Sequence, residues 1–132
     1  MLISALSVVK PWGTRIAEGK KTLEIRSWRP AELPLKDLLI VENERRLMQH
    51  GEIDPNGCAV AVVDVQGTHE WTPAETAAAC SVYEPGWLAW RIENVRRIHQ
   101  PFRVLAARKI YQVEVDDCLI AELIKSPLPD GQ

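Results

Sequence analysis

Within one eight-residue stretch, Gly19-Lys20-Lys21-Thr22-Leu23-Glu24-Ile25-Arg26, the chain gathers an ammonium, a carboxylate and a guanidinium. Alternate side chains of an extended strand share a face, so Glu24 and Arg26 stand together opposite Leu23 and Ile25. Lys21, at the entrance to that strand, reaches toward the same side. Two cations so placed bind phosphate oxygens or base edges, and Glu24 orients Lys21. For a catalytic site the matching chemistry is hydrolysis of an amide or a phosphodiester. Burial lowers a lysine's pKa toward that of a base, whereas a neighbouring carboxylate opposes the shift. Lys21 is then the electrophilic or positioning group and Glu24 the base that activates water. The competing reading is a solvated ion-pair network of Glu24 with Lys21, Arg26 or Arg15, worth about 0–1 kcal/mol. In either case Leu23 and Ile25 are expected to hold the core while Glu24 and Arg26 look outward.

The elements that position these residues follow from local pattern. Residues 2–9 form an apolar strand. Pro11 suits the first turn of a helix through Trp12, Arg15, Ile16 and Glu18, with Gly19 as its left-handed terminator. Thr22 to Trp28 is a second strand, ended by Arg29-Pro30. Leu38 to Val41 is short and extended, and Glu42 to Gly57 reads as a polar loop closed by the turn Asp54-Pro55-Asn56-Gly57. Cys58 to Val65 is the strongest buried strand, and Thr72-Pro73-Ala74-Glu75 opens a short helix. Strands at 87–94, 101–105 and 110–115 follow, then a helix capped by Asp116 or Asp117 through about Lys125 and a frayed tail. The reading is α+β with β dominant: one domain over 1–118, with 119–132 a C-terminal helix and tail.

Charge is unevenly distributed. The formal net charge is −2, yet residues 1–29 carry six Lys/Arg against two Glu, and residues 91–109 carry six against one Glu. Brought together, these segments make a cationic groove on an acidic body, whose focused field attracts phosphates. The alternative is a scatter of solvated charges. MLISALSVVKPW reads as a strand rather than a secretory leader, and no stretch approaches the ~20 apolar residues of a membrane span. Cys58, Cys80 and Cys118 are odd in number and widely spaced, so they read as free thiols in a reducing cytoplasm. No metal-ligand set or cofactor fingerprint is present, and His50, His69 and His99 lie far apart in the chain.

Of the five tryptophans, Trp12 and Trp28 flank the motif and are candidates for a cleft wall; Trp71 is assigned no function. Trp87 and Trp90 have opposite strand parity, so only one faces the cleft, and Trp90 is the candidate. The ligand-binding set is completed by Lys10, Lys20, Arg26 and Arg29. Arg96-Arg97 and Arg108-Lys109 read as solvated charges or phosphate contacts.

The segment KPWGTRIAEGKKTLEIRSW resembles the signature of the ASCH domain (activating signal cointegrator homology), of the PUA-like superfamily. That family's G-x-K-x-x-E-x-R is matched at Gly19, Lys21, Glu24 and Arg26, with Lys10-Pro11-Trp12 upstream. Gly86-Trp87-Leu88-Ala89-Trp90-Arg91-Ile92-Glu93-Asn94-Val95 with the later Pro101 resembles a downstream strand, so the likeness covers roughly residues 3–115. The resemblance implies a PUA-like β-barrel with a few short helices flanking a cleft, and a ligand that is RNA or a nucleoside or nucleotide. It also implies possible hydrolases: one branch cleaves the N4-acetyl group of acetylcytidine and another cleaves RNA, each with lysine at the position of Lys21. The acetylcytidine branch has threonine where this chain has Glu24. Many relatives carry a glycine-rich turn where this chain reads Leu105-Ala106-Ala107-Arg108-Lys109-Ile110-Tyr111.

Overall fold

A computed structural model describes residues 1–124. Six strands, β1 (Leu2–Val9), β2 (Leu23–Arg26), β3 (Leu35–Asn43), β4 (Ile53–Glu70), β5 (Leu88–Ala107) and β6 (Ile110–Glu114), form one mostly antiparallel sheet in the order β2-β5-β4-β3-β1-β6. The exception is the parallel pair β1 and β3. Three short α-helices, α1 (Trp12–Ala17), α2 (Thr76–Ala79) and α3 (Asp117–Ile120), and two 3-10 turns, Pro73–Glu75 and Ala121–Leu123, make up the helical part of the described residues. It is mostly β, a curled half-barrel with helices at its margins, as the sequence pattern implies.

The curl comes from β4 and β5. Their ladder changes register four times, between Asp54 and Gly57, Ala59 and Ala61, Val62 and Asp64, and Val65 and Gly67. Each bulge bends and twists its strand, so two long strands wrap rather than lie flat. This explains two departures from the sequence expectation. Asp54 to Gly57 is not a loop end but a bulge inside β4, where the Asp54 carboxylate accepts from the Asn56 N–H at 2.9 Å. The strands expected at 87–94 and 101–105 are one strand, because Pro101 sits where the pairing lapses between Arg97 and Phe102 and its missing donor costs nothing.

Both faces of the sheet are covered, and strand alternation divides them. Leu6, Val8, Leu38, Ile40, Val63 and Val65 pack with Ile16 of α1 and with Trp90; Ile3, Ala5, Leu39 and Val41 pack on the opposite side with Val104 and Ile120. A third cluster of Leu23, Trp71, Ala79 and Ala89 lies beside β2. α3 is capped by the Asp116 carboxylate, which accepts from the Cys118 N–H, and Ile120 anchors it in the second cluster. Lys125 and the tail expected at 126–132 lie outside the described residues. No helix among the described residues is long and apolar enough to cross a membrane.

A buried charge cluster joins β3, β4 and β5. Arg96 donates to Asp37 at 3.0 Å and to Asp64 at 2.8 Å, and Asn94 donates to Asp64 at 3.0 Å. Half of the Arg96-Arg97 doublet is therefore internal, neutralised by two carboxylates rather than solvated.

Candidate functional site

Helix α1 owes its position to a residue on another strand. Pro11, at its start, offers no side-chain cap. Glu42 of β3 supplies one instead, accepting from the Thr14 N–H at 2.6 Å and the Thr14 hydroxyl at 2.9 Å. Gly13 permits this approach, since a Cβ there would stand 2.9 Å from Glu42 Cβ. At the far end Gly19 takes a φ of +79°, and the N–H groups of Lys20 and Lys21 both return to the Arg15 carbonyl. That left-handed turn throws Lys21 back beneath the helix and feeds the chain into β2.

Lys21 arrives in a buried niche. Its ammonium donates to the Ala79 carbonyl at the end of α2 and lies 3.8 Å from Glu24 Oε1. Glu24 Oε2 accepts from Arg26 Nε at 2.8 Å, and Arg26 Nη2 reaches on to the Ser7 carbonyl at 3.0 Å. Lys21 and Glu24 are each only 6% exposed, so this is an interior triad and not the solvated surface network considered above. Burial pushes the Lys21 pKa below the ordinary lysine value, and the Glu24 carboxylate pulls against that shift.

The expected orientation of β2 is corrected by its pairing. Glu24 stands opposite Trp90, and Trp90 belongs to the main cluster around Leu6, Leu38 and Ile40. Leu23 and Ile25, opposite Arg91 and Ala89, pack on the small cluster of Trp71 and Ala79. Glu24 and Arg26 thus share a face with the principal core, at its open margin. Strand parity separates the two faces of β2 but does not say which is covered more deeply.

Above the triad opens a cleft of about 410 Å³. Its lining includes Trp12, Trp28 and Trp87 as aromatic walls, and Arg46, Arg108 and Lys109. Of the sequence candidates, Lys21, Glu24, Arg26, Trp12 and Trp28 line the cleft; Lys10, Lys20, Arg29 and Trp90 do not. Lys20 is exposed and pairs with Glu18 at 3.4 Å. The expectation of Trp90 at the cleft is corrected: it is 0% exposed, its indole N–H donates to the Trp28 carbonyl at 3.0 Å, and its ring meets Trp28 edge-on at 4.9 Å. Trp87, just outside β5, takes the cleft position. Trp90 holds Trp28 in place from behind.

Sequence reasoning left Arg46, Ser7 and the Cys80-Ser81 pair unassigned, and all four line the cleft. The Arg45-Arg46 doublet in a polar loop was the available signal; Arg45 is tied to Glu52 and the Ile53 carbonyl, whereas Arg46 turns to the cleft. Ser7 and Cys80 carried none. Of the cations in the basic segment 91–109, Arg108 and Lys109 reach the cleft and the other four do not. His69 pairs with Glu75 at 2.8 Å and with Arg91, away from the cleft, and the three cysteines are free thiols.

A family model described as the ASCH domain matches residues 6–102. The chain belongs to the ASCH domain family. No curated protein matches it. The match runs from the Ser7 end of β1 through the Lys21-Glu24-Arg26 triad into β5 and ends before Arg108 and Lys109; membership is consistent with an RNA- or nucleotide-related function.

Proposed function

We propose that this ASCH domain binds RNA or a modified nucleotide in the cleft above Lys21, Glu24 and Arg26. One observation carries the reading. In a protein of net charge −2, the described residues line the cleft with five cationic side chains (Lys21, Arg26, Arg46, Arg108 and Lys109) against a single carboxylate, Glu24, and with three indoles. Cations in a walled cleft focus a positive field, and indole faces stack with bases of any sequence. The proposed setting is the cytoplasm, which suits three free thiols. Titration of single-stranded RNA at rising salt tests the reading: affinity should fall steeply between about 50 and 200 mM, because added salt weakens the gain from counterions released on binding, roughly in proportion to the number of phosphate contacts. A salt-independent affinity, or none, would reject it.

A second reading, hydrolysis within the same cleft, is favoured by the state of Lys21. Its buried ammonium lines the cleft beside a carboxylate whose Oε1 is not held by Arg26. In this reading Glu24 takes a proton from water as the water attacks an amide carbonyl or a phosphodiester, and returns it to the departing amine or alkoxide as the C–N or P–O bond breaks. Lys21 holds the oxygen on which charge gathers. N4-acetylcytidine and RNA oligomers are the substrates to assay, with Lys21→Ala as control. Turnover that survives Lys21→Ala removes both assignments.

A further inference from the structure

The cations of the cleft fall into two tiers. At the floor, Lys21 and Arg26 are committed to Glu24 and to the carbonyls of Ala79 and Ser7. At the rim, Arg46 comes from the segment between β3 and β4, and Arg108 and Lys109 from the turn between β5 and β6. None of the three rim residues pairs with a carboxylate among the described residues. The Lys109 ammonium lies 5.5 Å from the centroid of the Trp28 ring.

We propose that the cleft takes its ligand base first, with a phosphate group at the rim, so that Arg46, Arg108 and Lys109 select phosphorylated nucleotides over neutral nucleosides. The inference rests on the binding reading above and deepens it. An anion entering the floor meets Glu24 and must compete with bonds already made; at the rim it meets three cations that no carboxylate among the described residues engages. A neutral base edge suits the floor, where Lys21 has three protons to donate and, among the described residues, bonds the Ala79 carbonyl and lies 3.8 Å from Glu24 Oε1.

The turn that presents Arg108 and Lys109 is built for its place. Ser7 Oγ accepts from the Ala107 N–H at 3.1 Å and bonds Tyr111 Oη at 3.1 Å, and Tyr111 donates to the Leu105 carbonyl at 2.7 Å. Ser7 therefore ties the root of the rim turn to the strand whose carbonyl holds Arg26. Lys109 adopts a φ of +58°, a conformation that glycine occupies without strain and other residues rarely enter. A long cationic side chain thus stands at a position whose backbone favours glycine.

The test titrates each of the four ribonucleosides and N4-acetylcytidine, the matching 5′-monophosphates and a mixed-sequence five-nucleotide RNA separately into the full chain, read by tryptophan fluorescence. Arg46→Ala, Arg108→Ala and Lys109→Gly are made singly and together; Lys109→Gly keeps the turn's backbone. At least one monophosphate should bind about tenfold or more tightly than its nucleoside at low salt, as charge-assisted contacts imply. The triple variant should bring that ratio close to one. A further gain for the RNA over the monophosphate, lost in the same variants, assigns the rim to internal phosphodiesters; no further gain assigns it to a terminal phosphate. Equal binding of nucleoside and monophosphate, or a ratio that survives the triple variant, overturns the rim assignment and leaves the binding reading standing. No binding by any probe overturns both.

Discussion

Replacing Glu24 by glutamine probes the interior triad most directly. The side chain keeps its volume and one acceptor for Arg26, but Lys21 and Arg26 lose the one carboxylate that pairs with them among the described residues. For charges 3.8 Å apart the Lys21–Glu24 attraction is about 4 kcal/mol at an effective dielectric constant of about 20. Removing one partner of a buried pair costs about 3–5 kcal/mol. The Arg26 contact, with its side chain 23% exposed, adds less, because water can replace part of it. We expect Glu24→Gln to lose about 3–4 kcal/mol at pH 7, which lowers the urea midpoint by about 2 M for a slope of about 1.5–2 kcal/mol/M.

Lys21 gives this loss a pH signature. Its folded pKa lies below the ordinary 10.5, so between the folded value and 10.5 the unfolded chain binds more protons and stability rises with pH. Without Glu24 the shift deepens, because the interaction that raised it is gone. The gap between Glu24→Gln and wild type should therefore narrow as the pH approaches 10.5. In a Lys21→Met background the same substitution should cost less than half as much, a double-mutant cycle that isolates the pair. A Glu24→Gln protein within 0.5 kcal/mol of wild type at pH 7, or a gap that stays constant to pH 10, would refute the buried triad.

The packing around the site yields two more expected outcomes. Gly57→Ala would place a Cβ 2.5 Å from the Val104 carbonyl and 2.7 Å from Val41, so thermal unfolding should show a loss of about 3 kcal/mol or more. At Gly67 the nearest atom is the far end of Arg91, at 2.3 Å, and Gly67→Ala should cost less than about 1 kcal/mol because that side chain can swing away. The two tryptophans of β5 and its approach should separate cleanly. Trp87→Ala should weaken RNA binding by about 1–3 kcal/mol in a titration, whereas Trp90→Phe should lower stability by about 1–3 kcal/mol as the Trp28 carbonyl loses its donor.

Local chemistry alone made much of this protein legible. Apolar runs marked β1 and the heart of β4, Gly19 marked the end of α1, and the spacing of Lys21, Glu24 and Arg26 marked the floor of the cleft. These are properties of a strand or a turn by itself, and they survive whatever packs around them. What the tertiary structure decided depends on partners distant in the chain. The face of β2 that is covered more deeply follows from Trp90, 66 residues beyond Glu24, and from the Ala79 carbonyl that receives Lys21. The N-terminus of α1 is capped by Glu42, 28 residues from Thr14. Arg96 and Arg108 have the same chemistry in one basic segment, yet one is consumed by two aspartates inside the sheet and the other is left for the cleft. Residue type determined which groups could bind a ligand here; only the fold, by spending some charges on one another, decided which remain to do so.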